Sequence, residues 1–186
     1  MNVYDFDETI YRNDSTADLV KYCFVHHPKT LLSVPGTIWY ALLWALHIVD
    51  KQTFKEHMYR FLTYLKDPEK VVEEFVSANL HKIEKYYLAR QKEDDLVISA
   101  SPYFLISAFC KRIGIKRVMA SPVNIHTGKY EGLNCHGEEK VRRYLEVYKA
   151  DEVDEFYSDS YSDTPMAKLA KKAFLVKKGV VLPWGR

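Results

Sequence analysis

The chain predicts a doubly wound α/β fold: a parallel sheet of about five strands, an all-helical cap inserted after the first strand, and a small hairpin flap. Three observations carry this. Short apolar runs recur at 2–6, 96–99, 117–121, 153–158 and 173–176. The segments between the later runs switch to helical periodicity, and strands alternating with helices pair in parallel through right-handed crossovers. The long interval from 13 to 92 contains no strand-like run but repeats its apolar residues at helical spacing.

The run at 2–6 closes on Asp5-Phe6-Asp7-Glu8-Thr9. Within the insert, Phe54, Met58, Phe61, Leu62 and Leu65 form one helical stripe, and Val72, Phe75, Val76, Leu80, Ile83 and Tyr87 another. Both are read as core-facing. The run 31–49 is almost wholly apolar and carries Trp39, Tyr40 and Trp44. Pro35 and Gly36 interrupt it, leaving 37–49 as a helix too short to cross a bilayer. It reads as a buried helix of the cap, with contact between 31–49 and a membrane surface as the alternative.

After 96–99, Tyr103, Ile106, Phe109, Cys110 and Ile113 follow helix spacing, and Gly114 supplies a left-handed stop. Next come the strand 117–121 and the flap 123–133, whose turn is His126-Thr127-Gly128-Lys129. A helix over 138–149 precedes the strand 153–158. Another begins at Pro165 and continues through Lys172, ahead of the strand 173–176. The expected organisation is a core of 1–12 and 93–186 with a cap of 13–92.

Bulk properties narrow the function. At 186 residues there is room for one core and an insert. The net charge of +2 is spread along the chain, so a nucleic-acid binder is not expected. Cys23, Cys110 and Cys135 are odd in number and lack metal-ligand spacing, which fits a reducing compartment. With an acidic motif already at residue 5, a cleavable signal peptide is not expected, and a cytoplasmic location is. The histidines show no two-histidine metal spacing.

The chemistry gathers at the ends of the apolar runs. Asp5 and Asp7, two apart where a strand ends, can divide two roles. Asp5 is the candidate nucleophile toward an electrophilic phosphorus, and Asp7 the proton donor and acceptor for the leaving oxygen and water. Thr9 is expected to fix this loop near the phosphate. Ser99, with the adjoining amide of Ala100, offers donors to phosphoryl oxygens beside a helix start; Ser101 is the competing helix cap. Lys140 lies in Cys135-His136-Gly137-Glu138-Glu139-Lys140, near a helix start where its charge opposes the dipole, so it wants anionic partners. Asp159 ends the fourth strand and completes a cation's oxygen shell. Asp163 is expected to orient a metal-bound water or Lys140. Few carboxylates plus water and phosphate suit Mg2+. Arg12 and Tyr161 lie close enough in sequence to reach a substrate.

In order, Asp-x-Asp-x-Thr, a strand ending in Ser99, Gly-Glu-Glu-Lys140 and Ser-Asp159-Ser-x-Ser-Asp163 resemble the haloacid dehalogenase superfamily, most closely its IB group of phosphoserine phosphatases and some lipid-phosphate phosphatases. The resemblance covers essentially the whole chain. It implies a Rossmann-like sheet, an aspartyl-phosphate mechanism, one Mg2+ held by Asp5, the Asp7 main-chain carbonyl and Asp159, and phosphate contacts from Ser99 and Lys140. The chain departs from phosphoserine phosphatases at Ser99-Ala100-Ser101, at Ser158-Asp159-Ser160-Tyr161-Ser162-Asp163 and at Asp14, where that group has glycines and a glutamate. These positions bear on the released alcohol. The expected function is therefore a Mg2+-dependent phosphomonoesterase acting on a small-molecule phosphate ester. The alternatives are a lipid-headgroup phosphatase at a membrane surface and a non-catalytic module that binds a phosphorylated ligand.

Overall fold

The computed structural model describes residues 1–185 of the 186-residue chain. Strands β1 (Asn2–Tyr4), β2 (Leu96–Pro102), β3 (Arg117–Ser121), β4 (Glu155–Ser158), β5 (Lys172–Lys177) and β6 (Val180–Pro183) form one sheet in the order β3-β2-β1-β4-β5-β6. The first five pair in parallel, and β6 returns antiparallel to β5. The sheet thus has one strand more than the apolar runs indicate. β6 follows a Lys178-Gly179 loop with both φ angles positive, 50° and 76°, the signs that a primed hairpin turn requires. It is a mostly exposed edge strand ending in Pro183, so it lacks the apolar signature of a central one.

Between β1 and β2 the chain is helical: α1 (Ser15–His26), α2 (Val34–Ala45), α3 (Lys51–Tyr59), α4 (Pro68–Asn79) and the short α5 (Lys85–Leu88), joined by 3-10 turns at Pro28–Ser33, Arg60–Tyr64 and Leu80–Lys82. Three aspartates start them. Asp14 accepts from the Ala17 amide at 2.8 Å, Asp50 from Thr53 at 2.7 Å and Asp67 from Lys70 at 3.1 Å, each satisfying an amide that the helix leaves free. After β2 come α6 (Tyr103–Arg112), then α7 (Glu138–Val147) and α8 (Thr164–Ala167). α8 stops well short of Lys172 because the Lys171 amide already bonds the Val153 carbonyl and the Lys172 amide that of Asp154, recruiting the chain into the sheet.

Alternation along the strands divides the core. Tyr4 and Val97 face a large cluster that includes Phe6, Leu19, Phe75, Val76 and Phe109. Val3, Leu96 and Ile98 face a smaller one with Tyr144, Phe156 and Met166. The first cluster contains residues of both the sheet and the helical insert. Phe75 of α4 meets Phe109 of α6 edge-on, with ring centroids 5.9 Å apart. α1 and α4 therefore share the sheet's own core.

α2 is different. Its first turn accommodates Pro35 and Gly36, so the helix begins at Val34 rather than after them, as proline in a first turn allows. None of its residues is buried, which corrects the reading of 31–49 as a buried helix. No helix among the described residues is long and apolar enough to cross a membrane.

The 123–133 segment is a tight loop closed by a single bridge between Val123 and Tyr130 rather than a two-stranded flap. It is fastened to α3: the Tyr130 amide donates to Glu56 Oε1 at 2.9 Å, and the Asn134 amide to Gln52 Oε1 at 3.3 Å. At Gly128, with φ of +70°, a Cβ would stand 2.7 Å from the Tyr59 carbonyl oxygen. Only glycine fits that approach.

Candidate active site

β1 lies between β2 and β4, where the strand order reverses. Tyr4 is in register with both Val97 and Tyr157. The residues following β1, the end of β2 and the residue following β4 consequently emerge together at the carboxyl edge, the usual ligand crevice of an open α/β sheet. There a cavity of about 280 Å³ is lined by Asp5, Asp7, Ser99, Ala100, Lys140, Asp159 and Asp163, and from the helical insert by Asp14, Lys51 and Lys55.

Lys140 is the pivot. α7 starts from Gly137, at φ of 58°, and Lys140 turns inward from its first helical turn, almost fully buried. Its Nζ lies 2.7 Å from Asp5 Oδ1 and 2.7 Å from Asp163 Oδ2. Ser158 Oγ donates to the same Asp163 oxygen at 2.8 Å. Burial works against the ammonium charge, but Asp5 and Asp163 more than offset it and hold Lys140 above its ordinary pKa. Burial shifts Asp5 upward; the lysine opposes this, while Asp163 and Asp7 reinforce it.

Asp7 occupies a second polar nest. Its Oδ1 accepts the Ser15 amide at 2.6 Å, and its Oδ2 the Ser101 hydroxyl at 2.5 Å. Thr16 in turn donates to Ser101 Oγ at 3.1 Å. Burial, followed by the Asp14 charge, pushes Asp7 up to about 6 despite the hydrogen bonds from Ser101 and Ser15. Ser101 is therefore not a helix cap but a partner of Asp7. Ser99 sits within β2 rather than at a helix start, because the strand runs on to Pro102 across an irregularity in its register with β3; its Oγ accepts the Ser101 amide at 3.1 Å. The Ala100 carbonyl accepts from Lys55 Nζ at 3.3 Å and from Ser121 Oγ at 2.9 Å.

Asp159 is partly exposed on the wall, and burial followed by repulsion from Glu8 raises its pKa. Thr9 is fully buried and off the cavity wall, its carbonyl bonded by the Tyr86 hydroxyl, so the structure does not bring it to the position expected of a phosphate contact. Arg12 pairs with Glu84 at 3.4 Å instead of facing the cavity. Tyr161 meets Trp184 edge-on at 5.3 Å. Lys51 and Lys55 line the wall without a local sequence signal, brought there by the packing of α3 over the sheet edge, whereas His136 reaches it from the segment that also carries Lys140. Burial, then the charge of Lys51, lowers the pKa of Lys55.

The wall carries six carboxylates against three lysines, an excess of negative charge that a phosphate dianion meets favourably only with added positive charge. The carboxylates of Asp5 and Asp159 and the Asp7 carbonyl are hard oxygen donors. Among the described residues no group of three His, Cys, Asp or Glu side chains forms a ready cage. Two carboxylates and a main-chain carbonyl are the kind of donors that a hard divalent cation such as Mg2+ takes alongside its own waters.

Among solved structures, a protein with unknown function from Bordetella pertussis Tohama I is similar with a TM-score of 0.74 and 17% identity, over 93% of this chain and 87% of that one. A phosphoserine phosphohydrolase-like protein from Francisella tularensis subsp. tularensis SCHU S4 gives 0.55 and 13%, over 93% and 86%. A phosphoserine phosphatase in apo form gives 0.53 and 16%, over 92% and 82%. At these identities the likeness is one of fold. None of the curated proteins matches. The family model for haloacid dehalogenase-like hydrolases matches residues 3–168, which contain both acidic motifs, the Ser99 strand and Lys140; the chain belongs to that family.

Proposed function

We propose that the chain is a Mg2+-dependent phosphomonoesterase that hydrolyses a small organic phosphate through an aspartyl-phosphate intermediate, with residues 13–92 acting as the cap over the site. The observation that carries the reading is the buried Asp5–Lys140–Asp163 bridge, opening with Ser99 and Asp159 onto one cavity at the sheet's carboxyl edge. A structural ion pair needs no cavity, and a solvated loop needs no buried lysine.

In this reading an Asp5 carboxylate oxygen attacks phosphorus and the ester P–O bond breaks, while Asp7 gives its proton to the departing oxygen. Water then attacks the acyl phosphate, Asp7 takes a proton from it, and inorganic phosphate leaves with Asp5 restored. Ser99 and Lys140 hold the nonbridging oxygens, and Lys140 also limits repulsion between Asp5 and the anion. Asp163 and Ser158 fix the lysine's position. Ser101 and the Ser15 amide orient Asp7. Asp5, Asp159 and the Asp7 carbonyl would hold Mg2+, which would supply positive charge to the phosphoryl oxygens. Three free, buried cysteines support a reducing compartment such as the cytoplasm.

The test is hydrolysis of a generic aryl phosphate. Turnover is expected to stop with a chelator, return with Mg2+ and vanish in Asp5→Asn. Robust turnover by that variant refutes Asp5 as the nucleophile, and absence of turnover in the native chain with Mg2+ across a panel of phosphorylated metabolites favours a non-catalytic binding module.

A further inference from the structure

The longest uncharged stretch of the chain, 30–49, carries eight of the seventeen large hydrophobic side chains that are exposed among the described residues. Leu32, Ile38, Trp39, Leu42, Leu46 and Ile48 are each more than half exposed, and Trp44 stands 41% exposed beside them. Ile38, Trp39, Leu42 and Leu46 follow helical spacing and form a stripe along α2 and just beyond it. Trp44 stacks on Phe54 with ring centroids 5.2 Å apart, and the Thr37 hydroxyl bonds the His57 carbonyl at 3.2 Å, so α2 leans on α3. A soluble monomer rarely leaves an apolar area of this kind uncovered.

The charges around the stripe indicate what covers it. From 19 to 49 the chain has no carboxylate, while it carries Lys21, Lys29, His26, His27 and His47. Lys21 and Lys29 are exposed on one side; on the other, exposed Asp50 is engaged by the Thr53 amide as the α3 cap and exposed Lys51 follows it. This surface repels cations and attracts anions. A second copy docked across the stripe by a two-fold axis would set these cations against each other with no carboxylate in 19–49 to pair them. An anionic lipid surface complements both features: acyl chains receive the leucines and isoleucines, the interface suits tryptophan, and acidic headgroups meet the lysines. Helix length excludes a span. The twelve residues of α2 reach about 18 Å, against about 30 Å of bilayer hydrocarbon, so the helix can only lie in the interface.

We propose that α2 and the turn before it are a docking face for an anionic lipid surface. The consequence for the site is geometric. α3 begins just past Ile48 and sends Lys51 and Lys55 to the cavity wall, so a docked chain holds its cavity rim beside the headgroups. The proposal concerns where the chain works, and it stands apart from which ester the cavity hydrolyses.

The test is flotation of the full chain with vesicles of phosphatidylcholine alone and of phosphatidylcholine mixed with phosphatidylglycerol, with light scattering of the free chain in parallel. The chain is expected to float with the mixed vesicles roughly tenfold more than with the neutral ones, and W39E/L42E to lose roughly tenfold or more of that binding. Unchanged aryl phosphate turnover and circular dichroism in W39E/L42E show that the variant is folded. D5N is expected to float like the native chain, so a failed phosphatase reading leaves the docking result intact. No flotation with either vesicle overturns the proposal, as does undiminished flotation of folded W39E/L42E. So does a dimer that W39E/L42E dissolves while vesicles bind nothing, because the face then belongs to a second copy.

Discussion

The Lys140 ammonium and the Asp163 carboxylate are 2.7 Å apart and both nearly inaccessible, and the oxygen that accepts from the lysine also accepts from Ser158. Neither charge is isolated in the interior. Removing either leaves an uncompensated partner, and that asymmetry sets the first prediction.

Lys140→Met should abolish hydrolysis and destabilise the fold by roughly 3–5 kcal/mol, the cost of breaking a buried ion pair from one side. Asp163→Asn, which keeps the shape and one acceptor, should cost less stability but still lower kcat, because Lys140 loses its second anchor. Urea unfolding and initial rates measure both. Equal stability losses in the two variants would contradict the argument.

Ser101→Ala removes the hydroxyl that holds Asp7 Oδ2. The carboxyl then loses one of its two tethers, so kcat should fall about tenfold with KM little changed, as for a group that acts in proton transfer rather than in binding. A rise in KM at constant kcat would mean that Ser101 touches substrate instead.

Gly128→Ala should destabilise by roughly 2–3 kcal/mol, since it combines a left-handed backbone with a Cβ that collides with the Tyr59 carbonyl. Thermal unfolding checks this. Gly36→Ala is the control, because nothing lies within 4 Å of a Cβ there.

The outer face of α7 predicts a pH effect. Glu139 is held at about 2, below its ordinary 4.5, by hydrogen bonds from Arg142 and then by Arg143, against the opposing effect of burial. A folded value below the unfolded one means that the stabilisation is fully present above about pH 4.5 and disappears as pH falls toward 2. Unfolding free energies across that window should show native chain and Glu139→Gln converging as pH falls. A gap that stays constant would show that Glu139 contributes by packing instead.

The parts of the site legible in the sequence were those in which chemistry and position coincide. Asp5, Ser99 and Asp159 end or follow apolar runs, and parallel pairing brings such ends together. Lys140 opposes a helix dipole and needed partners. The unreadable parts depend on packing between distant elements. Ser101 looked like a cap because its bond to Asp7 spans ninety-four residues of sequence, and Lys55 drew no attention because nothing in its own segment shows that α3 lies at the sheet's edge. Thr9 belonged to the motif by spacing, yet the loop folds it inward away from the cavity. The run 31–49 misled for the converse reason: hydropathy measures what a residue prefers, whereas burial requires a neighbour, and α2 packs mainly on α3 and on the turn before it.

The loop carrying Gly128 and Tyr130 clasps α3 from outside, while α1 and α4 are rooted in the same interior as the sheet. A roof attached on both sides cannot swing like a trapdoor. If the chain works as proposed, an ester would enter by loosening α3 from its clasp at Glu56 and Gln52, since α1 and α4 cannot turn away without opening the shared interior.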